Sequence, residues 1–291
     1  KLSALIITLN KSVACAGRIS EVLDMKPDME YPEADTVSYE AGNPAVEFAD
    51  VTFSYENAAA PSLKNISFAV ENGQTAGIIG GTGAGKSTLV NLIPRFSDVK
   101  SGTVKVFGHD VRDCKFGYLR HVIHVVPQKS NLFSGTIKDN LLMGDRSADD
   151  RDIDFALKVS QSAEFVSKLK DGTNTLIEEK SKNLSGGQKQ RLCIARAIMG
   201  HPRILIFDDS TSALDLKTEA DLYNALEKSN PQTTKIIIAQ RIASVRRADR
   251  IVVLENGRIA DVGTHEELLE SCGVYQDIYN SQMGKEDKEN G

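Results

Sequence analysis

Gly80-Gly81-Thr82-Gly83-Ala84-Gly85-Lys86-Ser87-Thr88 decides the reading of this chain. The stretch has the spacing Gly-x-x-x-x-Gly-Lys-Ser, and it follows a short apolar run over 77–80. A strand that turns through glycines into a helix lets successive backbone N–H groups converge on phosphate, and the helix N-terminus adds favourable partial charge. Lys86 is then placed to reach the β- and γ-phosphates of a nucleoside triphosphate, and the Ser87 hydroxyl to ligate Mg²⁺. The plainer reading is a glycine-rich turn that binds nothing. Nine consecutive matching residues leave it little room.

Two further stretches belong with the loop. Arg203-Ile204-Leu205-Ile206-Phe207-Asp208 is an apolar run ending in a carboxylate. At the carboxyl end of a parallel strand Asp208 would face a bound ligand and hold Mg²⁺. Such a run is common by itself and gains weight beside the phosphate loop. Leu184-Ser185-Gly186-Gly187-Gln188 precedes a helical stretch reaching about Met199. Ser185 with the N–H groups of Gly186, Gly187 and Gln188 makes a second anion site, or simply a serine helix cap. One chain has little use for two such sites on one triphosphate, whereas a dimer closing over nucleotide does.

The 291 residues carry 35 basic and 40 acidic side chains, a net charge of -5, with no basic block of the kind nucleic-acid binding needs. Cys15, Cys114, Cys193 and Cys272 are far apart and fit neither zinc spacing nor a disulfide framework, so they read as free thiols. His109, His121, His124, His201 and His265 form no metal spacing. No secretory signal is visible. Residues 2–9 are mostly apolar, yet too few to span about 30 Å of hydrocarbon; they read as a packed N-terminal helix or as the last turns of a membrane helix. The start at Lys1 favours the second.

Periodicity organises the rest. A helical pattern over 12–25 stops at Pro27, and 26–44, with its prolines and acids, reads as a linker. A globular domain occupies 45–283, and the charged 284–291 is expected to be disordered. Val46-Glu47-Phe48-Ala49-Asp50-Val51-Thr52-Phe53 alternates like a half-buried antiparallel strand, and 66–70 and 103–107 resemble it. The runs 77–80, 203–207 and 235–239 suit parallel strands covered on both faces. The stretch 136–200 reads as mostly helical, ending at Gly200 and Pro202. Asn256-Gly257 marks a hairpin, and Thr264 with Glu267 a capping box. The expected fold is an α/β core with an antiparallel β subdomain and a helical subdomain.

The phosphate loop, Leu184–Gln188, the Asp208 strand and Ser212-Ala213-Leu214-Asp215, in that order, resemble the nucleotide-binding domain of ABC transporters over about 45–282. Val125-Val126-Pro127-Gln128 with Asn131-Leu132-Phe133-Ser134-Gly135-Thr136-Ile137 is similar to the Q-loop of ABC exporters, and Glu179 to their X-loop acid. The resemblance implies an ABC-type P-loop NTPase core using ATP and Mg²⁺, with Tyr55 under the adenine and Gly80 to Thr88 on the phosphates. It places Ser87 and Asp208 at the metal and Gln128 at the metal or the attacking water, and gives Gln128 the further task of reporting nucleotide state to the membrane domain. Asp215 would lie in a loop crossing a dimer interface, or would merely cap a helix. Residues 1–25 would end a last transmembrane helix and its extension. The partners implied are a second nucleotide-binding domain and the transmembrane domains of both polypeptides, at the cytoplasmic face of the cell membrane, with no nucleic acid.

Two residues depart from the family pattern. Its hydrolytic glutamate is here Asp209, one methylene shorter, and its switch histidine is here Gln240, which donates a hydrogen bond but has no titratable ring. The candidate catalytic set is therefore Asp209, Gln240, Gln128 and Lys86. Weakening on this face beside an intact Leu184–Gln188 points to the degenerate-site half of a heterodimeric exporter with low intrinsic ATP hydrolysis. The other readings are an active homodimeric exporter, a soluble ABC ATPase acting on nucleic acid, and a regulatory nucleotide sensor without turnover.

Overall fold

Ile236, Ile237 and Ile238 are consecutive, β-branched and all buried, as in a strand covered on both faces. The computed structural model describes residues 2–25, 29–33, 42–56, 58–178 and 181–289, with side chains as far as Gln282. The chain divides into Lys1–Tyr31 and Pro32–Gly291. The first unit is one helix, α1 (Leu2–Leu23), with no buried side chain. It joins the apolar start and the following helical pattern without a break. At 1.5 Å per residue its 22 residues reach about 33 Å. With a mean hydropathy of 1.2, it is long and apolar enough to cross a membrane by length and composition alone. The expected linker lies partly outside the described residues, as does Glu179.

The second unit begins with β1 (Val46–Phe53), β2 (Leu63–Val70), β3 (Thr75–Gly80), α2 (Lys86–Leu92), β4 (Ser101–Val106), β5 (His109–Asp110), α3 (Phe116–Val122) and β6 (Ile123–Val126). The helical portion has β7 (Gly135–Thr136), α4 (Ile137–Leu142), α5 (Asp150–Val159), α6 (Ala163–Ser167), a 3₁₀ turn Gly172–Asn174, β8 (Leu176–Ile177) and α7 (Gly186–Met199). The chain returns through β9 (Ile204–Asp208), α8 (Leu216–Ser229), β10 (Thr234–Ile238), α9 (Ile242–Val245), β11 (Arg250–Glu255), β12 (Arg258–Gly263), α10 (His265–Ser271) and α11 (Gly273–Glu289).

The central sheet has the order β12-β11-β3-β10-β9-β6, parallel except for β12, and a second, antiparallel sheet runs β2-β1-β4-β5. The α/β class with an antiparallel subdomain and a helical part is thus the fold. Two apolar cores lie on opposite faces of the central sheet. Ile79, Leu205, Phe207, Ile237, Ile251 and Val253 face the helical core. Ile78, Ile204, Ile206, Ile236, Val252 and Leu254 face the core shared with β1, β2, β4, α2 and α3. Successive residues of a strand point to opposite faces, so each strand serves both cores. Each such aliphatic side chain contributes about 1.5–3 kcal/mol on burial.

Local signals mostly act as expected. Asn256 (φ 49) and Gly257 (φ 74) are both left-handed, as a two-residue turn between right-twisted strands requires. Thr264 and Glu267 form the capping box of α10. Helix α7 stops at Met199 with Gly200 as its cap, as expected; Gly200 stays at φ -82, and the next residue, His201, is left-handed (φ 46). Glycine is needed at the cap for space, because a Cβ would lie 2.3 Å from Cε1 of His124. One expectation needs correction: the segment expected to be a disordered tail continues α11 as far as Glu289. Its Lys and Glu residues favour helix and extend one already nucleated by packed residues, which costs less than starting one.

Candidate functional site

Four adjacent parallel strands, β3, β10, β9 and β6, end together at their carboxyl edge. Ile238 lies opposite both Ile78 and Asp208, and Val126 opposite Phe207. This edge is where open α/β sheets bind ligands, because helix N-termini and loop N–H groups gather there. The phosphate loop leaves β3, Gln128 follows β6, Asp208 ends β9 with Asp209 next, and Gln240 follows β10. Positions far apart in the chain thus become neighbours through strand register.

The loop turns on Gly83 (φ 79) and Gly85 (φ 100), the latter capping α2 in the left-handed conformation. Lys86 Nζ donates to the carbonyl oxygens of Gly80 and Gly81, each at 2.8 Å. Burial holds the Lys86 pKa below the ordinary lysine value, against the opposing pull of Asp209 and Asp208. Tyr55 is half-exposed, stands edge-on to Phe53 and shares a 3.0 Å hydrogen bond with Thr88 Oγ1. At Gly80 a Cβ would come 2.2 Å from the Leu254 carbonyl oxygen. Gly80→Ala is therefore expected to destabilise the domain by about 1–3 kcal/mol. Urea denaturation would register this as a lower midpoint with an unchanged slope.

Ser87 Oγ donates to Asp208 Oδ1 at 2.8 Å, pairing two hard oxygen donors of the kind Mg²⁺ prefers. Burial raises the Asp208 pKa above the ordinary carboxylate range; Asp209 pushes the same way, while Ser87 and Lys86 oppose. These residues fit a magnesium nucleotide, with Ser87 and Asp208 holding the metal and the loop holding phosphate.

Asp209 takes the left-handed conformation (φ 49), which aspartate tolerates better than most side chains. Its N–H donates to Ile238 O at 3.0 Å, and its carbonyl accepts from Ser212 Oγ at 3.0 Å. The turn aims the buried carboxylate between two amides. Gln128 Nε2 donates to Asp209 Oδ2 at 2.9 Å and Gln240 Nε2 to the same oxygen at 2.6 Å. Among the described residues no group bonds Oδ1. A carboxylate oriented through one oxygen with the other free can accept a proton from water. Gln128, expected at the metal or the attacking water, has its amide nitrogen on Asp209.

Ser185 and Gln188 cap α7 reciprocally: Gln188 Oε1 accepts from Ser185 N at 2.8 Å, and Ser185 Oγ accepts from Gln188 N at 3.3 Å. A Cβ at Gly186 would meet open space, whereas one at Gly187 would come 3.3 Å from Ala213 O. Asp215 caps α8, accepting from Thr218 N at 3.0 Å and from Thr218 Oγ1 at 2.7 Å. Among the described residues no hydrogen bond joins Ser185–Gln188 or Asp215 to the group around Lys86, Ser87, Asp208, Asp209, Gln128 and Gln240. A cavity of about 430 Å³ is lined by Tyr223, Lys235, Ile237, Arg246, Tyr279 and Gln282 among others, and not by Lys86, Ser87, Asp208, Asp209, Gln128 or Gln240.

One residue near the site went unread in the sequence. Gln282 of α11 bonds the backbone on both sides of Arg241. Its signal is a polar residue continuing the helical spacing of Tyr275, Ile278 and Tyr279.

Fold and site together define a nucleotide-binding P-loop domain. The family model described as "ABC transporter" matches residues 63–212. The chain belongs to the ABC transporter family. It is 43% identical over 237 residues to the "Putative multidrug export ATP-binding/permease protein" of Staphylococcus aureus strains COL and MW2, covering 81% of this chain and 41% of each relative. A solved structure described as "a bacterial Atm1-family ABC exporter with ATP bound" superposes with a TM-score of 0.88 at 34% identity, covering 94% of this chain and 48% of that one. The chain thus spans less than half the length of these proteins.

Proposed function

We propose that this chain is the ATP-binding, ATP-hydrolysing part of a membrane exporter, at the cytoplasmic face. The observation that carries the chemistry is the junction of Ser87–Asp208 with Gln128–Asp209–Gln240 beside Lys86. The loop and Lys86 bind phosphate; bound Mg²⁺ would neutralise phosphate charge next to Ser87 and Asp208. Asp209 takes the proton of the attacking water, held by Gln128 and Gln240. Tyr55 contacts the base. The named relatives, being ATP-binding/permease proteins, support the link to export, and the length and apolarity of α1 agree with it.

The polypeptide acts with a second nucleotide-binding domain and with transmembrane domains of both polypeptides. Ser185–Gln188, whose side chains cap each other, offers the N–H groups of Gly186 and Gly187 to nucleotide on that partner, and Asp215 lies in the facing loop. Asp209 and Gln240 make this chain's own pocket the slower one of a heterodimer, the partner hydrolysing faster. The intact bonding around Asp209 favours a second reading, a homodimer in which aspartate suffices.

Calorimetry with ATP is expected to show binding that strengthens with Mg²⁺. Phosphate release by the chain alone is expected to be slow, and slower in Asp209→Asn by about 10²-fold, the lower end of a general base's usual contribution. Phosphate release indifferent to Asp209→Asn removes Asp209 from the chemistry.

A further inference from the structure

Helix α9 begins immediately after the Gln240 switch, and its cap residue Arg241 gives it no side-chain hydrogen bond. The first N–H groups of a helix have no partner within it. Here Ile242 N donates to Gln282 Oε1 at 2.9 Å, and Gln282 Nε2 donates to Gln240 O at 2.7 Å. Both partners are backbone groups with fixed roles, so the amide has one workable orientation. An amide side chain donates from its nitrogen and accepts at its oxygen while remaining uncharged, so the one Gln282 side chain meets both backbone groups. Gln240 in turn bonds Asp209.

Gln282 reaches this position because α11 is anchored upstream. Tyr275 is fully buried, with its hydroxyl 2.8 Å from His265 Nδ1, and Ile278 and Tyr279 pack on the helical core. Positions 275, 278, 279 and 282 share one helix face. Three of them bury apolar surface, and the fourth bonds the switch turn.

We infer that Gln282 is a positioning residue, clipping α11 across the turn at Gln240–Ile242 so that the Gln240 amide stays on Asp209. The inference rests on the reading of Gln240 as part of the hydrolytic site. Motion of α11 is thereby coupled to the switch without any contact with nucleotide.

The test uses the 291-residue chain and four variants: Gln282→Met, which keeps length but neither donates nor accepts; Gln282→Glu, which keeps the acceptor for Ile242 N–H; Gln240→Ala; and Gln282→Met combined with Gln240→Ala. Amide hydrogen exchange at Ile242 is expected to quicken at least about tenfold in Gln282→Met while β9 and β10 keep their protection, and to stay slow in Gln282→Glu. ATP turnover is expected to fall about fivefold in kcat with KM for ATP unchanged in both Gln282 variants, and Gln282→Met is expected to add nothing to Gln240→Ala. Unchanged exchange at Ile242, or a kcat loss that adds fully to that of Gln240→Ala, overturns the inference and leaves the proposed function standing. Wild-type turnover in Gln240→Ala overturns the inference together with the reading of Gln240 as part of the hydrolytic site.

Discussion

Lys86→Met is expected to abolish measurable ATP turnover and to weaken ATP binding by roughly 10²-fold, about 3 kcal/mol, the scale of losing one member of a hydrogen-bonded charge pair. The side chain is already drawn into the loop, its ammonium resting on Gly80 O and Gly81 O and facing Asp208 and Asp209. Methionine keeps the stem's packing and removes the charge, so the loop backbone is expected to hold its course. The midpoint of thermal unfolding without nucleotide is expected to change by only a few degrees. The stabilisation gained on adding ATP, which follows from mass action, should largely vanish. Retention of that nucleotide-dependent stabilisation would remove Lys86 from the phosphate site.

Asp209→Glu combined with Gln240→His is expected to raise the chain's own phosphate release by at least about tenfold, recovering part of a general base's 10²–10⁴-fold contribution. A glutamate carries its carboxylate further by one C–C bond, about 1.5 Å. That extension enters space now held by the Gln128 and Gln240 amides. Asp209→Glu alone is therefore expected to gain less than the pair. It should also cost about 1 kcal/mol of stability, because glutamate suits the left-handed conformation at φ 49 less well than aspartate. Single-turnover phosphate release and chemical denaturation measure the two effects separately. A wild-type chain that hydrolyses ATP rapidly alone, with no gain in the double variant, would defeat the slow-pocket reading and favour the active homodimer.

Residues near one another in sequence made most of the fold legible. The phosphate loop, the apolar runs of β3, β9 and β10 and the alternation of β1 each carry their signal within a few positions. Convergence on Asp209 was not legible from spacing, because its two amide donors follow different strands; only the family resemblance placed Gln128 and Gln240 at one site. Gln282 was missed for a related reason: its partners are backbone groups 40 and 42 residues away, and backbone leaves no trace in composition. For Ser185 and Asp215 the local capping interactions, set beside the functional readings from the outset, are the ones formed within this chain.

The strand order has a consequence for synthesis. Strand β3, which carries the phosphate loop, has its neighbours in β10 and β11, and Thr75 waits for Lys235 before that edge of its ladder closes. As the chain leaves the ribosome, the antiparallel sheet can pair early, while the loop stays unsupported until nearly the whole domain has emerged. Competence to hold ATP is then among the last properties the nascent chain acquires, and the nucleotide reports completion of the fold.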